Sequence, residues 1–386
     1  INDNLGHNFG NIFLMEFSKR INSLLNEEST LARLGGDEFA ILVENIQDKD
    51  ESINLAQKIQ KEFRNPFIIN NKEVFSTVSI GLYSSFSGNE QSEEILRSSD
   101  IAMYRAKALG RARYEVFESS MKINTMEIFQ IETDLRYAIE KNELVLYYQP
   151  IISLETGKIT GFEALLRWFH KKKGLIPSSL FIPIAEDSGY IIKIGRWVFK
   201  EACNQIKIWN EKFNNNFTFT VNINISGRQF SHPNLVNHIF EIINQTEINP
   251  NQIRLEITES SIMDNTEKAK MMLHKLRELG LQLQIDDFGT GYSSLSYLHR
   301  FPVNTLKIDR SFVSRIDSSE ENFEIIKTII SLAKNLNMKT TSEGIETEVQ
   351  LRKLRELNCE YGQGFFFSKA LPVEELERLI DSNPTW

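Results

Sequence analysis

Cysteine is nearly absent: of 386 residues only Cys203 and Cys359 carry a thiol. Two thiols cannot build a disulfide framework or a four-thiolate zinc site, so buried free thiols in a reducing compartment are expected. Any run of about 18 apolar residues, the length a helix needs to cross a bilayer, is also missing. Positive charge is in deficit. Against 52 Asp and Glu stand 44 Lys and Arg, a formal net charge of −8, which argues against charge-driven binding to a nucleic-acid polymer. A small anionic ligand is still admissible, because bound metal ions invert the local field. Repeats and low-complexity tracts are lacking, and 41% hydrophobic with 25% charged residues excludes wholesale disorder, collagen and coiled-coil rods. An initiator Met is lacking too. The chain opens Ile1-Asn2-Asp3, which is expected of a piece cut from a longer protein. Any sensor or membrane anchor would then lie before Ile1, and the expected location is cytoplasmic or the cytoplasmic face of a membrane.

What is present divides in two. Residues 1–117 read as α/β: helical apolar spacing over Phe9–Leu25 and Ile53–Phe63, a hairpin signal at Gly35-Gly36-Asp37-Glu38 within Leu31–Val43, an alternating strand over Phe75–Tyr83, and a helix over Ser99–Leu109 closed by Gly110. Residues 118–140 read as a helical connector. From 141 to 386, short β-rich runs alternate with helical stretches: Leu144–Ile152, Ile159–Trp168, Phe217–Ile225, Ile253–Thr258, Leu281–Asp286, Thr305–Ile308, Met338–Ser342 and Gly364–Ser368. Eight strands over about 245 residues match a (β/α)8 barrel. Between the first two strands lie only Leu154-Glu155-Thr156-Gly157-Lys158, too few for a parallel crossover, so one antiparallel strand is expected.

Six strand runs carry a polar residue near their ends: Glu163, Asn224, Glu256, Asp286-Asp287, Lys307 and Glu343. A barrel gathers strand ends at one mouth, where so many carboxylates would repel unless a hard divalent cation, or two, compensates. Adjacent Asp286 and Asp287 can serve two ions about 3.5–4 Å apart, as in phosphodiester cleavage. An all-oxygen set without His or Cys at ligand spacing favours Mg²⁺ or Mn²⁺ over zinc. Lys307 and Arg167 would meet phosphate oxygens. Phe288-Gly289-Thr290-Gly291 reads as a glycine-hinged loop that could order on substrate.

Glu163-Ala164-Leu165 with Leu166-Arg167-Trp168 resembles the signature of EAL-domain cyclic di-GMP phosphodiesterases. The resemblance runs from Gln149-Pro150 to Leu371 and takes in Asn224, Glu256, Glu259, Asp286-Asp287-Phe288-Gly289, Lys307-Ile308-Asp309-Arg310, Glu343-Gly344-Ile345-Glu346 and Gln363-Gly364. It departs mildly, with Ala370 where proline is usual and Phe365 where Tyr is common. It implies a modified TIM barrel with one antiparallel strand, and two Mg²⁺ or Mn²⁺ ions held by Glu163, Asn224, Glu256, Asp286 and Asp287. The implied reaction is hydrolysis of cyclic di-GMP to linear pGpG. Lys307 and Glu343 would position or activate water, Glu259 would hold the Asp-Asp-Phe-Gly loop, and Gln149, Arg167, Arg310 and Gln363 would serve substrate, Gln363 at the metal or water.

Residues 1–117 resemble a GGDEF diguanylate cyclase domain, a nucleotidyl-cyclase-like α/β fold with a central antiparallel sheet. The resemblance implies a Mg²⁺–GTP site at Asn2, Asn11, Gly35, Gly36, Asp37, Glu38, Lys107 and Arg111. Three departures weaken cyclase activity. The family's first, metal-binding strand would precede Ile1. Asn11 stands where an Asp usually binds guanine. Asn26-Glu27-Glu28-Ser29 replaces the Arg-x-x-Asp inhibitory site. The first domain is therefore expected to regulate or to bind GTP weakly. Two other readings are a cyclic di-GMP receptor without catalysis, signalling to a partner, and a bifunctional cyclase–phosphodiesterase. A homodimer is a family expectation.

Overall fold

The computed structural model describes residues 7–26, 28–46, 48–69, 72–85, 91–108, 112–213, 219–263, 265–289, 298–317 and 319–386. Chain contacts divide it into two compact units, Ile1–Gln130 and Ile131–Trp386.

The first unit is built on the helix His7–Asn22. Phe9, Phe13, Phe17 and Ile21 recur every four residues, which aligns them on one helix face. That face is buried against Ile59 and Phe63, at the end of the helix Lys49–Glu62, and against Phe67 and Ile69. The aromatic rings meet edge-on, Phe13–Phe67 and Phe17–Phe63 each at 4.9 Å between centroids. Among the described residues the strands pair two by two. β1 (Ser29–Gly35) and β2 (Glu38–Val43) are antiparallel, as are β3 (Phe67–Ile69) and β4 (Lys72–Val74), while β5 (Ile80–Leu82) and β6 (Tyr114–Val116) are parallel. The strand expected over Phe75–Tyr83 is thus confined to Ile80–Leu82, because its three-residue partner β6 supplies a ladder only from Tyr114 to Val116. A helix, Ser92–Ala108, covers this pair. Gly110 lies outside the described residues.

A helix, Ser119–Leu135, leads into the second unit, burying Ile131 and Leu135 there. The second unit is a closed barrel of β10 (Thr220–Ile225), β11 (Ile253–Thr258), β12 (Gln282–Phe288), β13 (Thr305–Ile308), β14 (Lys339–Ser342), β15 (Tyr361–Gly362), β7 (Leu144–Ser153) and β8 (Ile159–His170), completed by pairing of β8 with β10. Every neighbouring pair is parallel except those of β7, which runs antiparallel to both β8 and β15. The expected antiparallel strand is therefore the first. A short β9 (Gly174–Ile176) folds back on the end of β8.

The eighth strand differs from expectation. It is Tyr361–Gly362, not Gly364–Ser368. The later segment turns instead: Phe367 and Ser368 N–H groups donate to Gly364 O, and Phe366 N–H to Ile345 O. Gly364 lies so close to the Ile345 backbone that any Cβ there would collide with it. Cys203 and Cys359 are both buried free thiols. Burial raises Cys203 to about 12, so it is an inert packing residue. No described helix is long and apolar enough to cross a membrane.

Candidate active site at the barrel mouth

Strand register sets the site. Asn224 lies opposite Glu256, Gln149 opposite Glu163, and Asp286 opposite Thr258. Side chains alternate along a strand, so residues two apart share the barrel interior. Glu163, Glu256 and Lys307 are all nearly fully buried inside.

Lys307 is the centre of the cluster. Its Nζ lies 2.5 Å from Glu343, 2.6 Å from Glu256, and 3.4 Å from both Glu163 and Asp286. Burial works against its charge, yet the surrounding carboxylates outweigh that and hold it well above ordinary lysine. Glu163 is tied further: Gln363 Nε2 donates to its Oε2 at 2.6 Å and Asn224 Nδ2 to its Oε1 at 2.7 Å. Burial alone would raise Glu163, but Lys307, Gln363 and Asn224 together hold it below the usual range. Gln363 also donates to Gln149 Oε1 at 2.9 Å, and Gln149 to Ser368 O at 3.0 Å.

The Asp286–Asp287 pair owes its geometry to an irregularity. Pairing of β12 with β13 slips between Ile285 and Phe288, and Asp287 adopts φ of 54°, the left-handed region. A regular strand would send the two carboxylates to opposite faces; the bulge turns both to the mouth. Carboxylate oxygens of Asp286, Asp287 and Glu343 all lie within 4.8 Å of one another, close enough to share a cation. Burial, then Asp286 and Asp309, raise Asp287 to about 6. Burial raises Glu343 to about 7, with Lys307 opposing and Asp286 and Glu163 reinforcing. Glu256 is pushed well above the usual range by burial and by Glu163, despite Lys307.

Five carboxylates thus face one ammonium. The excess negative charge, carried by oxygen donors alone, fits one or more hard divalent cations.

Glu259, buried at the end of β11, accepts Gly289 N–H at 3.0 Å and so anchors the backbone just after the Asp pair. Thr290 and Gly291, expected in the hinged loop, lie outside the described residues. A cavity of about 240 Å³ opens beside the cluster, lined by Glu163, Glu343, Gln363, Gln149, Arg310 and Phe365 among others. Arg310 pairs with Glu346 at 2.7 Å on the cavity's exposed side. Arg167 stands apart from the carboxylates, its guanidinium 5.7 Å from the Tyr147 ring centroid and bonded to Leu166 O.

Two residues that sequence reasoning missed are Asn222 and Gln284, buried amides that both donate to Glu256. Each stands two positions before a residue that was recognised, Asn224 and Asp286. Strand alternation was the signal that could have found them.

In the first unit, Gly35, Gly36, Asp37 and Glu38 form the exposed tip of the β1–β2 hairpin, with Gly36 at φ of 51°. Arg33 clamps the tip by two bonds to Gly36 O. Asn11 is exposed on the first helix and Lys107 half-buried near the end of Ser92–Ala108. Among the described residues no hydrogen bond or ion pair joins Asn11, Asp37 and Lys107. Asn2 and Arg111 lie outside the described residues.

Comparison with known families gives two matches, an EAL domain over residues 132–370 and a diguanylate cyclase GGDEF domain over residues 1–113. Across 97% of its length the chain is 39% identical to the bifunctional diguanylate cyclase/cyclic di-GMP phosphodiesterase MucR of Pseudomonas aeruginosa, covering 54% of that protein. It is 36% identical to the cyclic di-GMP phosphodiesterase PdeR of Escherichia coli over 98% of its length and 56% of PdeR. The chain spans about half the length of the curated relatives it matches. Among solved structures, a PaMucR phosphodiesterase–c-di-GMP complex aligns with a TM-score of 0.62 and 40% identity, covering 64% of this chain and 99% of that one. The EAL enzyme Bd1971, in a form with cAMP and cyclic di-GMP bound, aligns at 0.64 and 33% identity over 76% and 77%.

Proposed function

The chain belongs to the GGDEF–EAL proteins, and from that premise we propose that its barrel hydrolyses cyclic di-GMP to linear pGpG with the help of divalent cations. The observation that carries the proposal is the mouth itself: Lys307 within 3.4 Å of four carboxylates, three on different strands and Glu343 just past the end of a fourth, beside an Asp286–Asp287–Glu343 oxygen cluster. A receptor that only holds the dinucleotide has no need of that concentration of buried charge.

In this reading Glu163, Asn224, Glu256, Asp286 and Asp287 hold Mg²⁺ or Mn²⁺. Such ions, when bound, neutralise phosphate charge and lower the pKa of water. The protein's own groups do the rest. Lys307, held as an ammonium, positions a water, and Glu343, 2.5 Å from it, takes the water's proton as its oxygen attacks one phosphorus. The P–O3′ bond breaks, and the 3′ oxygen leaves as a hydroxyl, protonated by solvent water, while Glu343 returns its proton to solvent. Gln363, through Glu163 and Gln149, ties the substrate cavity to the cluster, while Arg310 at its rim, and Arg167 farther along β8, would meet phosphate or base groups. Glu259 keeps the Asp pair in register by holding Gly289.

The GGDEF unit is proposed to regulate the barrel or to bind Mg²⁺–GTP weakly through Asp37, Lys107 and the hairpin tip, and the chain to work as a homodimer. Titration with GTP and sedimentation velocity test these two points.

The deciding experiment incubates the protein with cyclic di-GMP and Mg²⁺ or Mn²⁺, with and without chelator, and follows pGpG by chromatography. Metal-dependent pGpG, lost in Glu163→Ala, supports hydrolysis. Undiminished cyclic di-GMP binding without pGpG under every metal condition assigns the barrel as a receptor.

A further inference from the structure

Glu256 is held from more sides than its role in the cluster requires. Asn222 Nδ2 donates to its Oε1 at 2.6 Å, and Gln284 Nε2 donates to the same oxygen at 3.1 Å. Lys307 Nζ contacts the other oxygen, Oε2, at 2.6 Å. The two amides come from β10 and β12, the strands on either side of β11, and are 0% and 1% exposed. The register puts Gln284 directly opposite Glu256, and Asn222 two residues before the Asn224 that faces Glu256 across β10.

The orientation of these amides is dictated by Glu256. The ionised carboxylate, the form that would hold a cation, only accepts hydrogen bonds, and each amide does turn its NH₂ toward it. Asn222 Oδ1 and Gln284 Oε1 are then left buried with no partner among the described residues. A buried, unmet acceptor is destabilising, because it has given up its water without a replacement. Aliphatic side chains would fill the same space without that penalty, so packing does not account for the pair.

We propose that Asn222 and Gln284 are positioning residues that draw Glu256 Oε1 into the barrel core, leaving Oε2 as the single oxygen Glu256 presents to a cation at the mouth. The inference rests on the reading of Glu256 as a cation ligand. Without the two N–H donors the carboxylate can rotate about its last torsion and offer either oxygen, or both, which loosens the ligand set.

The test is Mn²⁺ binding to the full chain, followed by the electron paramagnetic resonance of free Mn²⁺, in Gln284→Met, Gln284→Ala, Asn222→Leu and Asn222→Ala. Loss of an outer-shell partner typically weakens metal affinity about 10–100-fold, and that is the expected effect for each site. Methionine keeps the glutamine's shape and leucine the asparagine's, so the weakening should follow the lost N–H and not the lost volume. The thermal midpoint in chelator should fall little in the shape-conserving variants, since each also removes an unmet acceptor. The kcat for cyclic di-GMP at fixed, sub-saturating Mn²⁺ should fall while KM for the dinucleotide stays near wild type. Wild-type Mn²⁺ affinity in Gln284→Met and Asn222→Leu, with binding abolished in Glu256→Gln, overturns this inference but leaves the cation reading intact. Wild-type affinity in Glu256→Gln itself overturns the reading on which it rests. Should either leucine or methionine variant fail to fold, the alanine variant at that site decides by the same measurement.

Discussion

Replacing Lys307 by methionine gives the sharpest test of the electrostatics. The substitution keeps an unbranched chain in a fully buried slot and removes the positive charge that Glu163, Glu256, Asp286 and Glu343 share. Breaking a buried ion pair from one side costs about 3–5 kcal/mol, because the remaining charge is stranded in low dielectric. Here several carboxylates lose the same partner, and they will relieve part of the strain by taking up protons. For a unit of this size about 1 kcal/mol moves the midpoint by about 2–4 °C, so a loss of order 10 °C is expected at pH 8 in chelator. All four tryptophans, Trp168, Trp197, Trp209 and Trp386, lie in the second unit, so their fluorescence reports barrel unfolding separately from the GGDEF unit. Two further signs follow. Lowering the pH to 5 protonates the stranded carboxylates and should close most of the gap between variant and wild type. Adding Mn²⁺ should raise the variant's midpoint by more than wild type's, since the cation meets a more negative site and binding stabilises by mass action. Turnover of cyclic di-GMP should vanish. Equal midpoints in chelator at pH 8, or a gap that does not narrow at pH 5, would refute the reasoning.

Other expectations follow from the same contacts. In chelator the wild-type barrel should be more stable at pH 5.5 than at pH 8. Asp287 and Glu343 are raised to about 6 and about 7, so the folded state holds protons that the unfolded chain releases, and stability falls as pH rises through that window; a flat or rising midpoint sinks this. Gly364→Ala places a methyl into the Ile345 backbone and should cost about 1–3 kcal/mol by overpacking, read as a lower barrel midpoint, together with slower pGpG release as Gln363 is displaced from Glu163. An unchanged midpoint there shows that the segment shifts freely. Glu259→Ala removes a charge-assisted bond to Gly289 N–H worth about 1.5–3 kcal/mol and should lower kcat about 10–100-fold; wild-type kcat would show that the backbone after Asp287 needs no such anchor.

Much of the barrel was legible because its strands are short, β-rich and separated by helical spacing. Ile253–Thr258 and Thr305–Ile308 coincide with their expected limits. The eighth strand was misplaced because Gly364-Phe365-Phe366-Phe367 looks as strand-like as any aromatic run. Only the closeness of Gly364 to Ile345 reveals the turn, and that contact joins residues well separated in the sequence. The antiparallel first pair was legible from a five-residue connection too short for anything else. The amides Asn222 and Gln284 were overlooked for another reason. A polar residue alternating with isoleucine ordinarily marks the wet face of a half-buried strand, and only closure of the barrel makes that face an interior.

The Asp286–Asp287 pair shows where a sequence argument gains and loses its hold. Two adjacent carboxylates on a regular strand point to opposite faces, so strand periodicity alone would have assigned one to the mouth and the other to the layer between strands and helices. Their joint presence at the mouth depends on the slipped register between Ile285 and Phe288 and on the left-handed backbone of Asp287. That conformation is disfavoured for most residues, but aspartate tolerates it better than a branched or bulky side chain does. The sequence therefore contains the permission for the bulge, in a residue type that can adopt it, and Gly289, at φ of 95°, permits the next reversal. It does not contain the cause. The cause is that Phe288 must return to pair with Ile308 and bury its ring, and that Glu259 then holds the following N–H in place. The strain at Asp287 is thus offset by packing and hydrogen bonding on either side of it, and the geometry that brings two carboxylates to one mouth is a property of the closed barrel.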